Sequence, residues 1–262
     1  MNTNQETVRL MTLNIVHATR IPLPPRLVAR RFIERQLDAI AGVVSRSAAD
    51  IVAIQEADGD ARIDRAKAIA VHARLTCVHD ASVHSLTSPR HGAALLTRGA
   101  PLLSESVVFA RARFDDKGFV RATLRTTFCG DIDVVSVHLD AFRASVRHEQ
   151  IDMLASHLGA SRQRPLIVMG DLNSGWDAAA GDLARTLGLR SPAPLNHERT
   201  HAIGGRIDWI LVSSDLDVGA YRVISDGVSD HRAVIAEVGL ASVSHGARRP
   251  SSARETEFVV PA

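Results

Sequence analysis

The chain has 262 residues, of which 45% are hydrophobic, and this length and composition suit one α/β domain with a large core. Its formal charge of +2 is too small for a protein that binds nucleic acid mainly through the phosphate backbone. The first residues lack the charged and apolar regions of a signal peptide, and no apolar run approaches the ~18 residues of a membrane span. We therefore expect a cytoplasmic protein without a transmembrane segment. The wide separation of Cys77 and Cys129 favours buried free thiols over a disulfide.

Eight short apolar runs predict β-strands, and most of them stop at a polar residue. They cover residues 8–16, 50–56, 92–98, 119–128, 131–140, 165–172, 206–213 and 232–240. Only Cys129 and Gly130 separate 119–128 from 131–140, so these two strands are predicted to form a hairpin.

Apolar residues at helical spacing predict two helices between the strands. Their apolar faces are formed by Ile33, Leu37, Ile40, Ala41 and Val44, and by Ile151, Leu154, Ala155 and Leu158. Helices combined with hairpins imply an α/β (α+β) fold with two packed mixed β-sheets flanked by helices, a four-layer αββα sandwich. We predict one domain over residues 1–241. The polar segment 242–262 is predicted to be a mobile C-terminal tail.

Polar side chains stand at the ends of the predicted strands. One such residue is usually a turn former or a helix cap, but six groups of them are unexpected by chance. If these strand ends share one rim, the carboxylates, amides and imidazoles must bind a cation or repel one another. The groups are Asn14; Gln55 and Glu56; His138 and Asp140; Asp171 and Asn173; Asp208; and Ser229, Asp230 and His231.

The ordered series LNI, IQEAD, VSVHLD, MGDLNS, RIDWILVS and SDHRAVIAEV, within residues 8–240, resembles the endonuclease/exonuclease/phosphatase superfamily. GDLNS followed by SDH, with an early glutamate after a glutamine, is a specific combination, whereas each motif alone is weak. The resemblance implies metal-dependent hydrolysis of a phosphoester, with the site at one rim of two packed sheets. It also implies that water attacks phosphorus directly. The many oxygen ligands suit Mg²⁺ or Mn²⁺ better than Zn²⁺.

The same resemblance implies the residues that bind the metal and the substrate. Glu56 is the first choice of metal ligand, because a cation bound there would neutralise charge on the phosphoryl oxygens. Asp230 would complete the rim as a ligand or as a supporting carboxylate. Asn14 would join the ligand shell or donate to a phosphate oxygen, and Asn173 would donate its amide to the phosphate.

Four further residues are assigned to the chemical step by the resemblance. Asp171 would orient and deprotonate the attacking water. Asp208 would fix the tautomer of His231 and favour its imidazolium form, which stabilises the anionic transition state. His138 would protonate the leaving oxygen.

The substrate is predicted to be a small or lipid-derived phosphodiester, and an endonuclease or exonuclease acting on DNA or RNA is the alternative. An aromatic content of 4% argues against an extended stacking groove for single strands. The basic segment from Thr19 to Arg31 is expected to overhang the site, where it either holds a phosphate-rich ligand or is a solvated helix start. We expect a monomer.

Several other residues near these motifs keep simpler interpretations. His17 and His91 lie near the expected rim, where they are either functional or ordinary surface histidines. We predict solvated strand charges at Lys117 and Arg121. The two tryptophans, Trp176 and Trp209, are predicted to be packing residues.

Overall fold

The computed structural model describes residues 7–20, 28–57, 64–77, 92–109, 117–159, 162–192 and 198–241. The helices in these ranges are α1 (Arg30–Ser47), α2 (Arg65–Ala73), α3 (Ala144–Leu158) and α4 (Ala179–Leu187), and a short 3-10 turn spans Val16–Ala18. The strands are β1 (Thr7–Asn14), β2 (Ile51–Gln55), β3 (Thr76–Cys77), β4 (Ala94–Thr97), β5 (Leu103–Val108), β6 (Gly118–Thr126), β7 (Gly130–His138), β8 (Leu166–Asp171), β9 (Leu189–Arg190), β10 (Asp208–Ser213), β11 (Leu216–Ile224) and β12 (Ala233–Leu240).

The strands form two six-stranded sheets. The first has the order β11-β12-β1-β2-β4-β3, and the second has the order β5-β6-β7-β8-β10-β9. Each sheet contains one parallel pair, β1 with β2 and β7 with β8, while its other pairs are antiparallel. A parallel pair needs a crossover connection, and α1 and α3 provide these connections. Both sheets are therefore mixed, as predicted.

Three apolar clusters separate four layers of secondary structure. One lies between the first sheet and α1 and α2, one between the two sheets, and one between the second sheet and α3 and α4. Alternation along β1 sends Leu10 into the cluster between the sheets and Met11 into the cluster under the helices. The predicted αββα sandwich is confirmed.

All eight predicted strands are present, and the predicted hairpin is the antiparallel pair β6 and β7. Both predicted apolar helix faces lie on helices, α1 and α3, although Ala155 is only half-buried. The sequence did not predict β3, β5, β9, β11, α2 or α4. The helices α2 and α4 have 9 residues each, which is too short for a repeated apolar pattern.

Cys77 and Cys129 are free thiols, half-buried rather than buried. In the described ranges, none of the helices combines the length and apolar character that a membrane crossing requires. Residues 242–262, the predicted tail, lie outside the part of the chain that the structure describes.

Candidate active site

Strand register brings three of the predicted residues together at one rim of the second sheet. Asp171 is the last residue of β8, and its direct partners are His138 at the end of β7 and Asp208 at the start of β10. The side chains of all three are almost completely buried. In the first sheet, Asn14 ends β1 beside the end of β2, so Glu56 follows at the same rim.

Asn14 links the two sheets across this rim. Its Nδ2 donates to Glu56 Oε1 at 3.1 Å and to Asp171 Oδ2 at 3.0 Å, while its Oδ1 accepts the backbone N–H of Val16 at 3.0 Å. The bond from Val16 fixes the orientation of the amide, because only the oxygen can accept it. The nitrogen therefore faces the carboxylates, which suits a donor role better than the predicted metal-ligand role of Asn14.

The predicted pair of Asp208 and His231 is present. His231 Nδ1 lies 3.1 Å and 3.0 Å from the two carboxylate oxygens of Asp208, in a buried environment. Ser229 holds this segment against β1: its Oγ donates to the carbonyl of Asn14 at 2.8 Å and accepts the N–H of His231 at 3.1 Å. Burial lowers the pKa of His231, but the carboxylate of Asp208, with Asp171 nearby, outweighs burial and raises it to about 10.

For Asp171, in contrast to His231, the effect of burial on the pKa outweighs the effect of the opposite charge and the hydrogen bonds nearby. Burial and the like charge of Asp208 raise the pKa of Asp171 to about 7, although His231 and hydrogen bonds from Asn14 and Asn173 oppose this rise. Its Oδ2 lies 3.8 Å from His231 Nε2. A carboxyl group with a pKa near neutrality has the acidity expected of a general base.

Asn173 lies beside Asp171, as its position in the sequence suggests. Its backbone N–H donates to Asp171 Oδ1 at 2.9 Å, and its side-chain Nδ2 donates to the carbonyl of Leu139 at 3.0 Å. The residue has a positive φ of 48°. The predicted donation of this amide to a phosphate therefore requires the Leu139 bond to be exchanged or shared, and that role stays a prediction.

His138 is buried in the middle of the site with an unexpected neighbour. Its Nε2 lies 3.5 Å from Asp171 Oδ2 and 3.9 Å from Glu56 Oε1. Lys117 Nζ lies 3.1 Å from Nε2 and 3.3 Å from Nδ1 of the same ring. Lys117 is buried, so the prediction of a solvated strand charge is wrong for this residue. The sequence did not predict this burial, because no motif marks a single lysine and its burial depends on the pairing of β6 with β7.

Left-handed backbone is concentrated around the site. Val16, His17 and Ala18 have φ between 48° and 56°, and Glu56 has φ of 57°. Non-glycine residues in this conformation typically cost of order 1 kcal/mol or more, and such strain is common at functional sites. The turn places His17 Nε2 at 3.3 Å from Glu56 Oε2. His17 therefore belongs to the site, whereas His91 lies outside the described residues.

Asp230 lies at the open side of the site, and a histidine that the sequence analysis missed lies beside it. Asp230 Oδ1 is 4.0 Å from His231 Nε2, and Asp230 Oδ2 is 3.6 Å from His201 Nε2. The rings of His201 and His231 meet edge to face, with centroids 4.6 Å apart. Nothing in the segment around His201 signals this contact, which depends on backbone pairing between two loops.

The remaining predictions concern residues outside this cluster. Arg121 forms ion pairs with the buried Asp133 and with Glu105, so it is not a freely solvated charge. Trp209 is buried and donates its ring N–H to the carbonyl of Ser174, which confirms a packing role. Residues 21–27, most of the predicted basic loop, lie outside the described ranges.

The rim contains side chains that could hold a metal ion. Two groups of residues have ligand atoms close enough to share an ion: Asp171, Asp208 and His231, and His201, Asp230 and His231. Both oxygens of Asp208 face the ring nitrogen of His231, so Asp171 and Asp230 are the carboxylates of these two groups that remain for a cation. Glu56 belongs to neither group, but Asn14 donates to both Glu56 and Asp171. Burial and the like charge of Asp208 raise the pKa of Asp171, and a divalent cation nearby would favour the charged form of this carboxyl group.

Comparisons with known proteins agree with this architecture. The model of the endonuclease/exonuclease/phosphatase family matches residues 31–231. A solved endonuclease/exonuclease/phosphatase from Beutenbergia cavernae DSM 12333 is 18% identical with a TM-score of 0.67, over 93% of this chain and 74% of that chain. One from Bacteroides vulgatus is 16% identical with a TM-score of 0.69, over 90% and 99%. Sphingomyelinase C from Streptomyces griseocarneus is 19% identical with a TM-score of 0.66, over 88% and 99%.

No curated protein matches the chain. The structural similarities at these identities show a shared fold, whereas the family model matches most of the chain at the level of sequence. The matched segment contains Glu56, His138, Asp171, Asp208 and His231. The chain therefore belongs to the endonuclease/exonuclease/phosphatase family.

Proposed function

We propose that this protein is a metal-dependent phosphodiesterase that hydrolyses a lipid-derived or small phosphodiester. One observation carries the proposal. A buried carboxylate, Asp171, lies between a carboxylate at the opposite sheet, Glu56, and the hydrogen-bonded pair of Asp208 and His231. Such a site combines a base for water with carboxylates that would hold a cation, and the cation would stabilise a phosphoryl group.

Glu56 would hold the metal, with Asp230 as a further carboxylate. A bound Mg²⁺ or Mn²⁺ would supply charge neutralisation on the phosphoryl oxygens. Asn14 holds Glu56 and Asp171 in register through its shared N–H donors. This arrangement explains why a neutral amide rather than another carboxylate stands at that position.

Three buried side chains hold or transfer protons in this proposal. Asp171 accepts a proton from the attacking water, because its pKa of about 7 lies close to neutral pH. His231 stays protonated at neutral pH, with a pKa of about 10, and directs Nε2–H towards the phosphoryl oxygens. His138 lies where it can donate to the leaving oxygen, and Lys117 adds a positive charge beside it.

Two exposed apolar side chains on loops of this rim favour a lipid substrate. Phe142, four residues after His138, is 86% exposed, and Ile203, two residues after His201, is 87% exposed. Apolar side chains this exposed are expected to gain free energy by entering an acyl layer, at roughly 25 cal/mol per Å² buried. Solved structures of similar fold include sphingomyelinase C and a beta toxin from Staphylococcus aureus, which is consistent with this preference.

Activity on vesicles tests the lipid preference. The native protein should hydrolyse sphingomyelin in vesicles of sphingomyelin and phosphatidylcholine when Mg²⁺ is present. Phe142→Ser and Ile203→Ser should each lower this activity about tenfold, since each removes about 1.5 kcal/mol of apolar burial. Hydrolysis of soluble bis-p-nitrophenyl phosphate should not change.

A matched control is Val71→Ser, which changes an apolar residue that is 65% exposed on α2. This variant should behave like the native protein on both substrates. Equal losses on vesicles and on the soluble substrate, or no loss on either, would contradict the lipid preference.

Nuclease activity is the alternative outcome. With a net charge of +2, any cleavage of DNA or RNA should be slow and should weaken further with salt. A panel of DNA, RNA, phospholipids and phosphoinositides, assayed with Mg²⁺ and with Mn²⁺, distinguishes the two. Rapid cutting of plasmid DNA at physiological salt would favour the nuclease.

A further inference from the structure

His201 lies in a tight turn that is attached to the segment carrying His231. Its backbone pairs with both Gly205 and His231. The N–H of Ala202 donates to the carbonyl of Asp230 at 2.9 Å, and the N–H of Arg232 donates to the carbonyl of Thr200 at 2.7 Å. These bonds on both sides fix the position of His201 relative to Asp230 and His231.

The turn also determines which ring nitrogen of His201 carries the proton. The backbone N–H groups of Ile203 and Gly204 both donate to His201 Nδ1, at 3.2 Å and 2.6 Å. A ring nitrogen that accepts N–H groups must present its lone pair, so the ring proton lies on Nε2. A flipped ring would place a carbon against both N–H groups and lose both bonds.

Gly204 makes this arrangement possible. A Cβ atom at this position would lie 2.8 Å from His201 Nδ1, closer than real Cβ contacts allow. The neighbouring Gly205 has φ of 78°, a conformation that favours glycine. The two glycines therefore allow the backbone to wrap closely around the imidazole.

The protonated Nε2 faces the carboxylate of Asp230 at 3.6 Å. This distance exceeds that of a hydrogen bond, but a ring N–H and a carboxylate this close in a partly buried site still attract each other. The ring of His201 also packs edge to face against His231, with an interplanar angle of 61°. One side chain thus contacts both the outer carboxylate and the proposed catalytic histidine.

We infer that His201 is a positioning residue of this site: its Nε2–H orients Asp230 and its ring restricts His231. The inference rests on the proposed function, because it assigns His201 to residues of the proposed mechanism. It also excludes His201 as a metal ligand, although the ring lies in a cluster with ligand geometry. A metal ligand would need the lone pair of Nε2, and the proton would then have to move to Nδ1, against the N–H groups of the turn.

Two substitutions test the roles of the two ring nitrogens of His201 separately. In His201→Asn, the amide oxygen can replace Nδ1 as the acceptor of the turn, while no donor reaches Asp230. In His201→Gln, the amide N–H reaches about as far as Nε2, while the turn loses its acceptor. Loss of a partner that orients a metal-site residue typically lowers metal affinity or activity by roughly 10- to 100-fold.

We expect His201→Asn to keep the unfolding temperature of the native protein, to bind Mn²⁺ more weakly in calorimetry and to lower kcat by roughly 10- to 100-fold with a smaller change in KM. His201→Gln should recover part of kcat. His72→Asn, which changes a histidine on α2 whose side chain is 56% exposed, is the control and should match the native protein.

The ring proton is measured independently of activity, by ¹⁵N chemical shifts of the histidine side chains at pH 8. The inference predicts an Nε2–H tautomer for His201, assigned by its absence from His201→Asn. An Nδ1–H tautomer, or native Mn²⁺ affinity and native kcat in both variants, would overturn it. If the native protein hydrolyses no phosphodiester, the proposed function fails, and the tautomer and Mn²⁺ affinity still decide the position and the role of His201.

Discussion

The pKa values of Asp171 and His231 depend on burial, which raises the first and lowers the second, and on the charges around each group. His231 is held protonated by Asp208, which accepts its N–H with both oxygens, whereas Asp171 faces the same carboxylate as a like charge. One residue, Asp208, thus favours an acid at one neighbour and a base at the other. This division is what hydrolysis by an activated water requires.

The Asp208 and His231 pair should act as a unit. Asp208→Asn removes the charge that holds the proton on His231, so kcat should fall by roughly 10²- to 10⁴-fold, with a smaller change in KM. His231→Ala combined with Asp208→Asn should be little worse than His231→Ala alone, because groups that act together are non-additive. Steady-state kinetics of the three variants measure this. Losses that multiply in the double variant would show that Asp208 does not act through His231.

The ionised form of Asp171 should destabilise the folded protein when no metal is bound. Its pKa in the folded state, about 7, lies above the usual 3.8. The stability that the protonated Asp171 contributes is therefore fully present below about pH 4 and is lost as the pH rises through 7. Asp171→Asn cannot ionise. In chelator at pH 9, it should therefore raise the free energy of unfolding by on the order of 2 kcal/mol while abolishing activity.

The pH dependence provides the control for this variant. At pH 5.5 the native Asp171 is mostly protonated but the carboxyl of the unfolded chain is still ionised, so the gain from Asp171→Asn should fall to roughly half of its value at pH 9 and should disappear only near pH 4. Denaturant unfolding at both pH values gives the two differences. A variant that is less stable than the native protein at pH 9 would refute the assignment of an uncompensated buried charge.

The sequence predicted most of the side chains that meet at the rim but not their environment. Glu56, Asp171, Asp208 and His231 stand at strand ends, where their types and order are visible. His201 and Lys117 belong to the site only because loops and neighbouring strands bring them there. Burial of a lone lysine or histidine depends on contacts between distant segments, and no local pattern encodes it.

At the scale of elements, strand register explains how the site is assembled. The last residue of β8 lies between the end of β7 and the start of β10, so three of the predicted site residues need no loop to bring them together. The central strands were predictable, because they are continuous apolar runs. The edge strands β5 and β11 were missed, because partly exposed edges lack a clear apolar pattern.

Gly170 in β8 should be indispensable for this register. It has φ of 151°, and a Cβ atom there would lie 1.9 Å from the carbonyl oxygen of Val137 on β7. Gly170→Ala must separate the two strands, so it should lower the free energy of unfolding by about 2 kcal/mol or more and displace Asp171, with a loss of activity.

Gly99→Ala is the matched control, since a Cβ atom there meets nothing within 4 Å. It should leave the unfolding midpoint and the activity close to native. A Gly170→Ala protein with native stability and native kcat would contradict the requirement for close approach of β7 and β8.

At the scale of the whole molecule, the site depends on the packing of one sheet against the other. Glu56 comes from the first sheet, while Asp171 and Asp208 come from the second. Behind the rim, Gln55 accepts from Thr12 and donates to Ser136 of the opposite sheet. The sequence predicted two packed sheets, but the position of Gln55 between them, away from the rim, required the structure.

The most direct test of a metal-dependent phosphodiesterase is hydrolysis of bis-p-nitrophenyl phosphate by the native protein and by Glu56→Ala. Turnover should require Mg²⁺ or Mn²⁺ and should stop in excess chelator. Glu56→Ala should lose roughly 10²- to 10³-fold in rate and keep a native unfolding temperature. Glu34→Ala, at an exposed glutamate of α1, should stay active. Undiminished turnover in excess chelator, or native activity of Glu56→Ala, would contradict the account.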